Sequence, residues 1–464
     1  MTVTSTHGAP SAPRPSLRRR AVAAYPVLGR RGYRRYAATI AIVNTSGWMQ
    51  RIAQDWLVLE LTGSVAMVGL TVALQLGPIL FLGMWGGVLA DRRSKRRLLM
   101  LSHAVGGTAW LTLAVLVVVL VLGGWVAGWH VLLAALVLGL VTAVDVPTRE
   151  AFLPEVAGTA NVRQAVALNT TILQCGALLG PALAGVSIAL LGNAPAFVTN
   201  AVAQVVAVLL LARIEPAGLE TVPRLERSRG QLVEAARYAR ATPHVLWPVV
   251  LIGFVSITGI NLATVLAAYA DDVLRSGASG YSQLTAAVAA GAVLGSICAG
   301  RWGQPGLRRL VYLVLGVALL LLVASRLSAA PGLLVVMAAF GFVANVYLVG
   351  SMSLVQASVW PHLRGRVLAL YALVCVAAQA ASGLLVGAVA QAHGAPAAMV
   401  VSAAGPLTGA VVVGLCLARL RGLRPTLVLR DRPGRGWVYI RPVAGSTAVD
   451  AGSSLVLSRP TGDG

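Results

Sequence analysis

Charged and amide side chains interrupt an otherwise apolar run at positions 47–58. Arg51 and Asp55 are four positions apart, so on a helix they share a face and can form an ion pair. Inside a membrane, a charged group costs about 2.5–3.5 kcal/mol and is usually kept in a bundle interior or an aqueous cavity for a functional reason. We therefore expect Asp55, Arg51 and Gln54 to form a proton-coupling or substrate-binding site. A structural ion pair or an outer gate is the alternative.

A second polar group lies between two apolar runs at positions 86–99, which read Gly-Gly-Val-Leu-Ala-Asp-Arg-Arg-Ser-Lys-Arg-Arg-Leu-Leu. Gly87 lets two helices approach closely, whereas Asp91 falls at a helix end where the dipole disfavours an acid, so it needs a compensating donor. Further polar residues close a later apolar run. We expect these residues to form a cytoplasmic gate: Gly87, Asp91, Arg92, Lys95, Arg96, Asp145 and Arg149. A loop that only sets topology, with Asp145 and Arg149 as helix-capping residues, is the alternative.

Small residues recur at positions 176–185, which read Gly-Ala-Leu-Leu-Gly-Pro-Ala-Leu-Ala-Gly. Gly176 and Gly180 are four apart and give a flat helix face for close packing, with Gly185 further along. Pro181 removes a backbone hydrogen bond and can bend the helix. Ordinary packing of small residues is the alternative interpretation.

Isolated amide side chains lie within other apolar runs and are candidates for lining a cavity: Gln75, Gln174, Gln204, Asn261, Asn345 and Gln379. Each could instead satisfy a hydrogen bond between helices. The 6 histidines show no zinc-type spacing, and the chain has no phosphate-binding loop. The 4 cysteines lie in apolar runs without metal-ligand spacing. We expect no enzymatic activity, no cofactor and no metal.

The composition identifies the solvent of this chain. It has 464 residues, of which 57% are hydrophobic and 11% are charged, whereas soluble proteins carry about 25% charged residues. The formal net charge of +22 could suggest nucleic acid. However, the arginines stand in short clusters between apolar runs, as in cytoplasmic loops of membrane proteins. We expect the lipid bilayer, and no nucleic acid, as a partner.

A membrane span needs about 20 apolar residues. A window of that length predicts about twelve spans, near 37–60, 64–89, 98–122, 129–148, 165–191, 195–213, 245–269, 281–300, 309–327, 331–354, 366–389 and 395–418. Every second connecting loop is basic, which places those loops and both termini in the cytoplasm. The fold class is thus an all-α membrane protein with two six-helix bundles.

The predicted domains follow from this layout. They are a basic cytoplasmic segment 1–36, a first bundle 37–213, a connector 214–244 with a short amphipathic helix, a second bundle 245–420 and a largely disordered cytoplasmic tail 421–464. In the connector helix at 231–241, Leu232, Val233, Ala236 and Tyr238 are expected on the apolar side, with Arg237 and Arg240 opposite.

The loop at 86–99 resembles the loop signature of the major facilitator superfamily at Gly87, Leu89, Ala90, Asp91 and Arg92, and in its Lys95-Arg96 pair. The run from Gly176 to Gly185 resembles the superfamily's antiporter motif. Together with the stretches 47–51, 145–155 and 363–366, these features resemble the siderophore-exporter-like branch. The resemblance implies the major facilitator fold and transport by alternating access, with a substrate site near the midplane.

We therefore expect a bacterial inner-membrane protein that exports a small, partly hydrophobic molecule, such as a drug, siderophore or secondary metabolite, in exchange for protons. We expect it to act as a monomer. An importer of a nutrient or siderophore is the alternative within transport, and the direction of counterflow separates the two. A membrane sensor without transport and a membrane-embedded enzyme are the alternatives outside it. The sequence does not identify the substrate.

Overall fold

Helices account for almost all of the described chain. The computed structural model describes residues 25–121, 127–220, 231–259, 262–301, 305–360, 363–420, 423–426 and 439–442. Helices are expected here, because in lipid every backbone N–H and C=O must find its partner within the protein. The predictions for segment 1–24 and for Asn261 lie outside the described residues.

Thirteen helices follow one another in these described residues. In the first part of the chain they are α1 (Arg31–Thr62), α2 (Val65–Arg92), α3 (Lys95–Val121), α4 (Gly128–Ala157), α5 (Val162–Leu191) and α6 (Ala194–Ala212). Next come α7 (Gln231–Ala241), α8 (Pro243–Thr258) and α9 (Ala263–Ala268), which continues into a π-helical turn (Tyr269–Val273). The last four are α10 (Gly277–Arg301), α11 (Leu307–Ala324), α12 (Ala330–Ser358) and α13 (Arg364–Leu420).

Ten stretches in the described residues are long and apolar enough to cross a membrane. Helix α1 is not among them, because its polar residues lower its hydropathy, although it has 32 residues. Helix α13 has 57 residues and is broken at Gly394. The φ of Gly394 is 83°, a positive value that glycine adopts without steric cost. The protein is therefore an all-helical membrane protein with many candidate spans.

One predicted span differs clearly from its helix. The span predicted at 129–148 is too short, since α4 runs on past Pro147 and Pro154 to Ala157. The extension contains Arg149, Glu150 and Glu155, so a search for apolar residues stops before it. The span predicted at 245–269 corresponds to one apolar stretch, Pro243–Val273, within which α8 ends at Thr258 and α9 begins at Ala263.

The apolar core is organised differently at the two ends of the molecule. We call α1–α6 the first helix group and α8–α13 the second helix group. At one end, both groups contribute to one cluster, which includes Leu57, Phe197, Val265, Phe340 and Met399. We call this the shared-core end. Towards the other end, each group has its own cluster. The cluster of the second helix group also includes residues of α7.

Glycines allow the closest helix contacts. A Cβ on Gly86 would overlap the backbone of Ala143, so α2 and α4 touch there. Gly87, to which the sequence assigned a close approach, is buried next to this contact. Between the two groups, a Cβ on Gly69 of α2 would overlap the carbonyl of Gly383 in α13. Gly69 and Gly383, which form this contact, both lie towards the shared-core end.

The connector is attached to both helix groups. At its start, Glu220 accepts hydrogen bonds from Arg30 (2.6 Å) and from the backbone N–H of Thr159 (2.9 Å). Farther on, α7 is bound to the second group by the ion pair Glu234–Arg366 and by a 3.2 Å hydrogen bond from Tyr238 to the carbonyl of Ser358.

The buried face of α7 differs from the expected one. Ala235 and Ala239 are buried, whereas Val233 is 63% exposed. The contact with the second group therefore selects a face of small residues, which a count of large apolar residues does not reveal.

The tail contains two short strands, β1 (Leu423–Thr426) and β2 (Tyr439–Pro442), which pair antiparallel with Leu423 opposite Pro442. The remainder of 421–464 lies outside the described residues, so its predicted disorder stays a prediction.

Candidate functional site

Asp55 lies at the junction of the two helix groups. It is fully buried, and its Oδ2 accepts a 2.8 Å hydrogen bond from the hydroxyl of Tyr281 on α10. Its Oδ1 has no hydrogen-bond partner in the described part of the chain. A buried carboxylate with one unsatisfied oxygen costs free energy as an anion, so it is a natural place for a proton to bind and leave.

Arg51 does not form the expected ion pair with Asp55. Both residues are described, and no ion pair between them is found. Instead, the Arg51 guanidinium lies over the Trp48 ring, 5.1 Å from its centroid. Trp48 is one turn earlier on α1, so it competes for the guanidinium, while Tyr281 takes the carboxylate. Helical spacing alone does not reveal either competitor.

Gln54 is the centre of a buried amide network. Its Oε1 accepts hydrogen bonds from Gln50 (2.8 Å) and Gln75 (3.0 Å), and its Nε2 donates to the carbonyl of Val131 (3.3 Å). The network therefore joins α1, α2 and α4 at Gln54, which precedes Asp55 in the chain. The structure brings the predicted residues Gln54 and Gln75 together and adds Gln50, which the sequence analysis did not single out.

Two other predicted amides are linked through a serine. Gln174 of α5 donates to Ser296 of α10 (3.2 Å), and Ser296 donates to Asn345 of α12 (3.3 Å). This chain crosses from the first helix group to the second. Ser296 carried no sequence signal, because its single hydroxyl hydrogen is shared with the helical carbonyl of Ala292, as in an ordinary helix serine.

Gln204 and Gln379 each have a polar partner in their own helix group. His103 Nδ1 lies 2.7 Å from Gln204 Oε1, and both side chains are buried in the first group. In the second group, Gln379 donates to Cys375 Sγ at 3.1 Å. The contact between His103 and Gln204 is a hydrogen bond between helices, of the kind that the sequence analysis gave as the alternative.

A cluster of hydroxyl groups in the second group was missed. Tyr371 donates to Ser351 at 3.1 Å, and Ser256 lies 3.4 Å from Cys375. The Tyr347 hydroxyl is buried and has no hydrogen-bond partner among the described residues. Tyrosines and serines are common in apolar helices, so only their convergence distinguishes this cluster.

The basic residues of the predicted gate are held by the first helix group. Lys95 pairs with Glu155 at 2.6 Å, and Asp145 pairs with Arg149 at 2.7 Å. Arg96 donates to the carbonyl groups at the end of α6, where its Nε lies 2.7 Å from the Leu211 oxygen. Asp91 is partly exposed in the last turn of α2, and Arg92 is exposed beside it.

The glycine face of α5 packs against both groups. A Cβ on Gly176 would overlap the Asn44 side chain, and one on Gly180 would overlap Trp48 of α1. A Cβ on Gly185 would lie 2.8 Å from the Ser282 Cβ on α10. Pro181 is buried inside α5, which continues through it. The predicted close packing is thus present, with Gly185 at the contact between groups.

Paired helix groups that share a core at one end, with buried polar residues between them, are the arrangement of a two-bundle transporter. Residues 27–424 match the model of the transmembrane secretion effector family of the major facilitator superfamily. The chain belongs to this family. Its members are transporters, which confirms the prediction that the chain is a membrane transporter and not an enzyme.

Relatives of known function include siderophore and drug transporters. The chain is 26% identical to the enterobactin exporter EntS of Salmonella typhimurium, over 80% of this chain and 88% of that protein. It is 28% identical to the multidrug efflux pump Tap of Mycolicibacterium fortuitum, over 80% and 92%. A 30% identical match to the staphyloferrin A transporter of Staphylococcus aureus covers only 35% of this chain and 40% of that protein.

The fold is also similar to solved transporters. A D-xylose-proton symporter superposes with a TM-score of 0.63 at 16% identity, covering 82% of this chain and 96% of that one. At this identity the likeness establishes the fold alone.

Proposed function

We propose that this protein is a proton-coupled exporter of a small, partly hydrophobic molecule in the bacterial inner membrane. The observation that carries the proposal is the buried Asp55 carboxylate, which is bonded across the two helix groups by Tyr281. Protonation of Asp55 weakens its attraction for a donor, so proton binding is linked to the contact between groups. A drug, a siderophore or a secondary metabolite fits the relatives' printed functions.

Alternating access fits the two ends of the molecule. The shared core closes one end, while the separate cores leave a boundary between the groups at the other. Rocking of one group against the other about a central site would reverse this arrangement. The polar chain Gln174–Ser296–Asn345 and the amide network around Gln54 are the proposed lining of that site.

We propose twelve spans with both termini in the cytoplasm. The ten apolar stretches become twelve when α1 is included and α13 is counted on both sides of Gly394. The basic loops would then lie inside, and the shared-core end would face outward. Reporter fusions at Asn193 and at Gly218 should report opposite sides of the membrane, and equal signals at the two sites would refute this topology.

The experiment for export uses everted membrane vesicles energised by respiration. The probes are enterobactin and ethidium, which represent the siderophore and drug classes, and 2-naphthoate, which represents partly hydrophobic organic anions. We expect accumulation of at least one probe that is lost when nigericin collapses the pH gradient. Accumulation only in right-side-out vesicles would identify an importer. Lack of gradient-dependent movement in either orientation, across a wider panel of metabolites, would favour a non-transporting sensor.

A further inference from the structure

Arg51 carries a charge well inside α1, and the proposed twelve-span topology places it near the middle of the membrane. It lies 11 residues before the end of α1 at Thr62, so it is about 16 Å from that end at about 1.5 Å per residue. The apolar core of a bilayer is about 30 Å thick. Among the described residues, no carboxylate forms an ion pair with Arg51, and the side chain is partly exposed.

The guanidinium is nevertheless held in place. It lies over the Trp48 ring, and Gly180 of α5 packs directly against Trp48. This contact uses the charge of the guanidinium and not its N–H donors, which remain able to bind another group. These donors form a rigid fork that matches the two oxygens of a carboxylate.

The side chains next to Arg51 have other hydrogen-bond partners, so the N–H donors of Arg51 remain available to a ligand. Asp55, one turn nearer the shared-core end, is bonded to Tyr281. The amides of Gln50, Gln54 and Gln75 satisfy one another and carry no charge. An anion that reaches Arg51 from the end opposite the shared-core end would therefore meet a positive charge just before the apolar core that both helix groups share.

We propose that Arg51, oriented by Trp48, binds a carboxylate group of the transported molecule, and that the substrate is accordingly an organic anion. This inference rests on the proposed transport function and names its substrate class. Trp48 acts as a positioning residue, because it fixes the plane in which the fork donates.

Binding of 2-naphthoate and of its neutral amide, 2-naphthamide, to the purified full chain in lipid nanodiscs tests the proposal. The two probes have nearly the same shape and differ in charge. We expect 2-naphthoate to bind with at least a tenfold lower Kd, which corresponds to about 1.4 kcal/mol. Arg51→Gln should remove this preference, and Arg51→Lys should reduce it, because lysine keeps the charge but loses the fork. Trp48→Leu should also reduce it.

The control is Arg308→Gln, which removes the same charge from an exposed position at the start of α11 and should leave both Kd values unchanged. Equal affinities for the two probes in the wild type, no saturable binding of 2-naphthoate, or a preference that persists in Arg51→Gln would each overturn the proposal. Because binding needs no gradient, these outcomes are separate from failure of proton-driven export, which the vesicle experiment measures.

Discussion

Tyr281 donates a 2.8 Å hydrogen bond to Asp55, and thereby joins α10 to α1 across 226 positions of sequence. Both side chains are fully buried at the shared-core end. A hydrogen bond to a charged group contributes about 1.5–3 kcal/mol. In the proposed alternating-access cycle the two helix groups separate at this end, so the bond would break once in each cycle.

The first prediction concerns proton coupling. Asp55→Asn keeps the size of the side chain but cannot bind or release a proton in the working pH range. We expect efflux driven by a pH gradient to be abolished in proteoliposomes, while exchange of substrate for substrate persists. Asp272→Asn, which removes an exposed acid, is the control. Wild-type gradient dependence in Asp55→Asn would make the Asp55–Tyr281 contact purely structural.

The second prediction concerns the Tyr281 hydroxyl. Tyr281→Phe removes the donor and should weaken the closed form by about 1.5–3 kcal/mol, or roughly ten- to a hundredfold in population. Spin labels are placed at Ser64 and His393 in a background without the native cysteines. A larger fraction of molecules should then show the longer distance between the two labels. Tyr269→Phe is the matched control, because its 3.1 Å bond to the Ala324 carbonyl stays within the second group. An identical distance distribution for Tyr281→Phe and wild type would contradict the prediction.

The third prediction concerns the contact of α2 with α13. Gly69→Ala places a methyl group against the Gly383 carbonyl. This overpacking should destabilise the arrangement that is closed at the shared-core end by about 1–3 kcal/mol. Gly77→Ala on the same helix has open space around it and should stabilise α2 by up to about 1 kcal/mol. Thermal unfolding and the same pair of spin labels measure both effects. Equal effects of the two substitutions would argue against a tight contact.

The fourth prediction concerns pH and the connector. The backbone N–H of Thr159, with further donation by Arg30, holds the pKa of Glu220 below its usual range. A depressed folded-state pKa means that the carboxylate stabilises the fold above its unfolded pKa, and that this contribution is lost as the pH falls through the folded value. Glu220→Gln should therefore lower the melting temperature at neutral pH and have progressively less effect in acid. A difference in melting temperature from wild type that did not change with pH would exclude a stabilising role for the ionised Glu220 carboxylate.

The sequence by itself determined the solvent, the helices and the family. Long apolar runs require helices in lipid, and the loop around Asp91 with the Gly176–Gly185 run was sufficient to indicate the superfamily. Short-range periodicity also located the connector helix at its observed bounds, Gln231–Ala241. These features are local, so neighbouring residues carry the information.

Only the tertiary structure decided which polar groups meet. Helical spacing allowed Arg51 to pair with Asp55, but Tyr281, far away in the chain, takes the carboxylate, and Trp48 takes the guanidinium. The exposed face of α7 and the close approach at Gly86 were decided in the same way, by partners on other helices. A sequence pattern specifies which face of a helix is polar. The packing of helices then determines which competing partner lies within hydrogen-bonding distance.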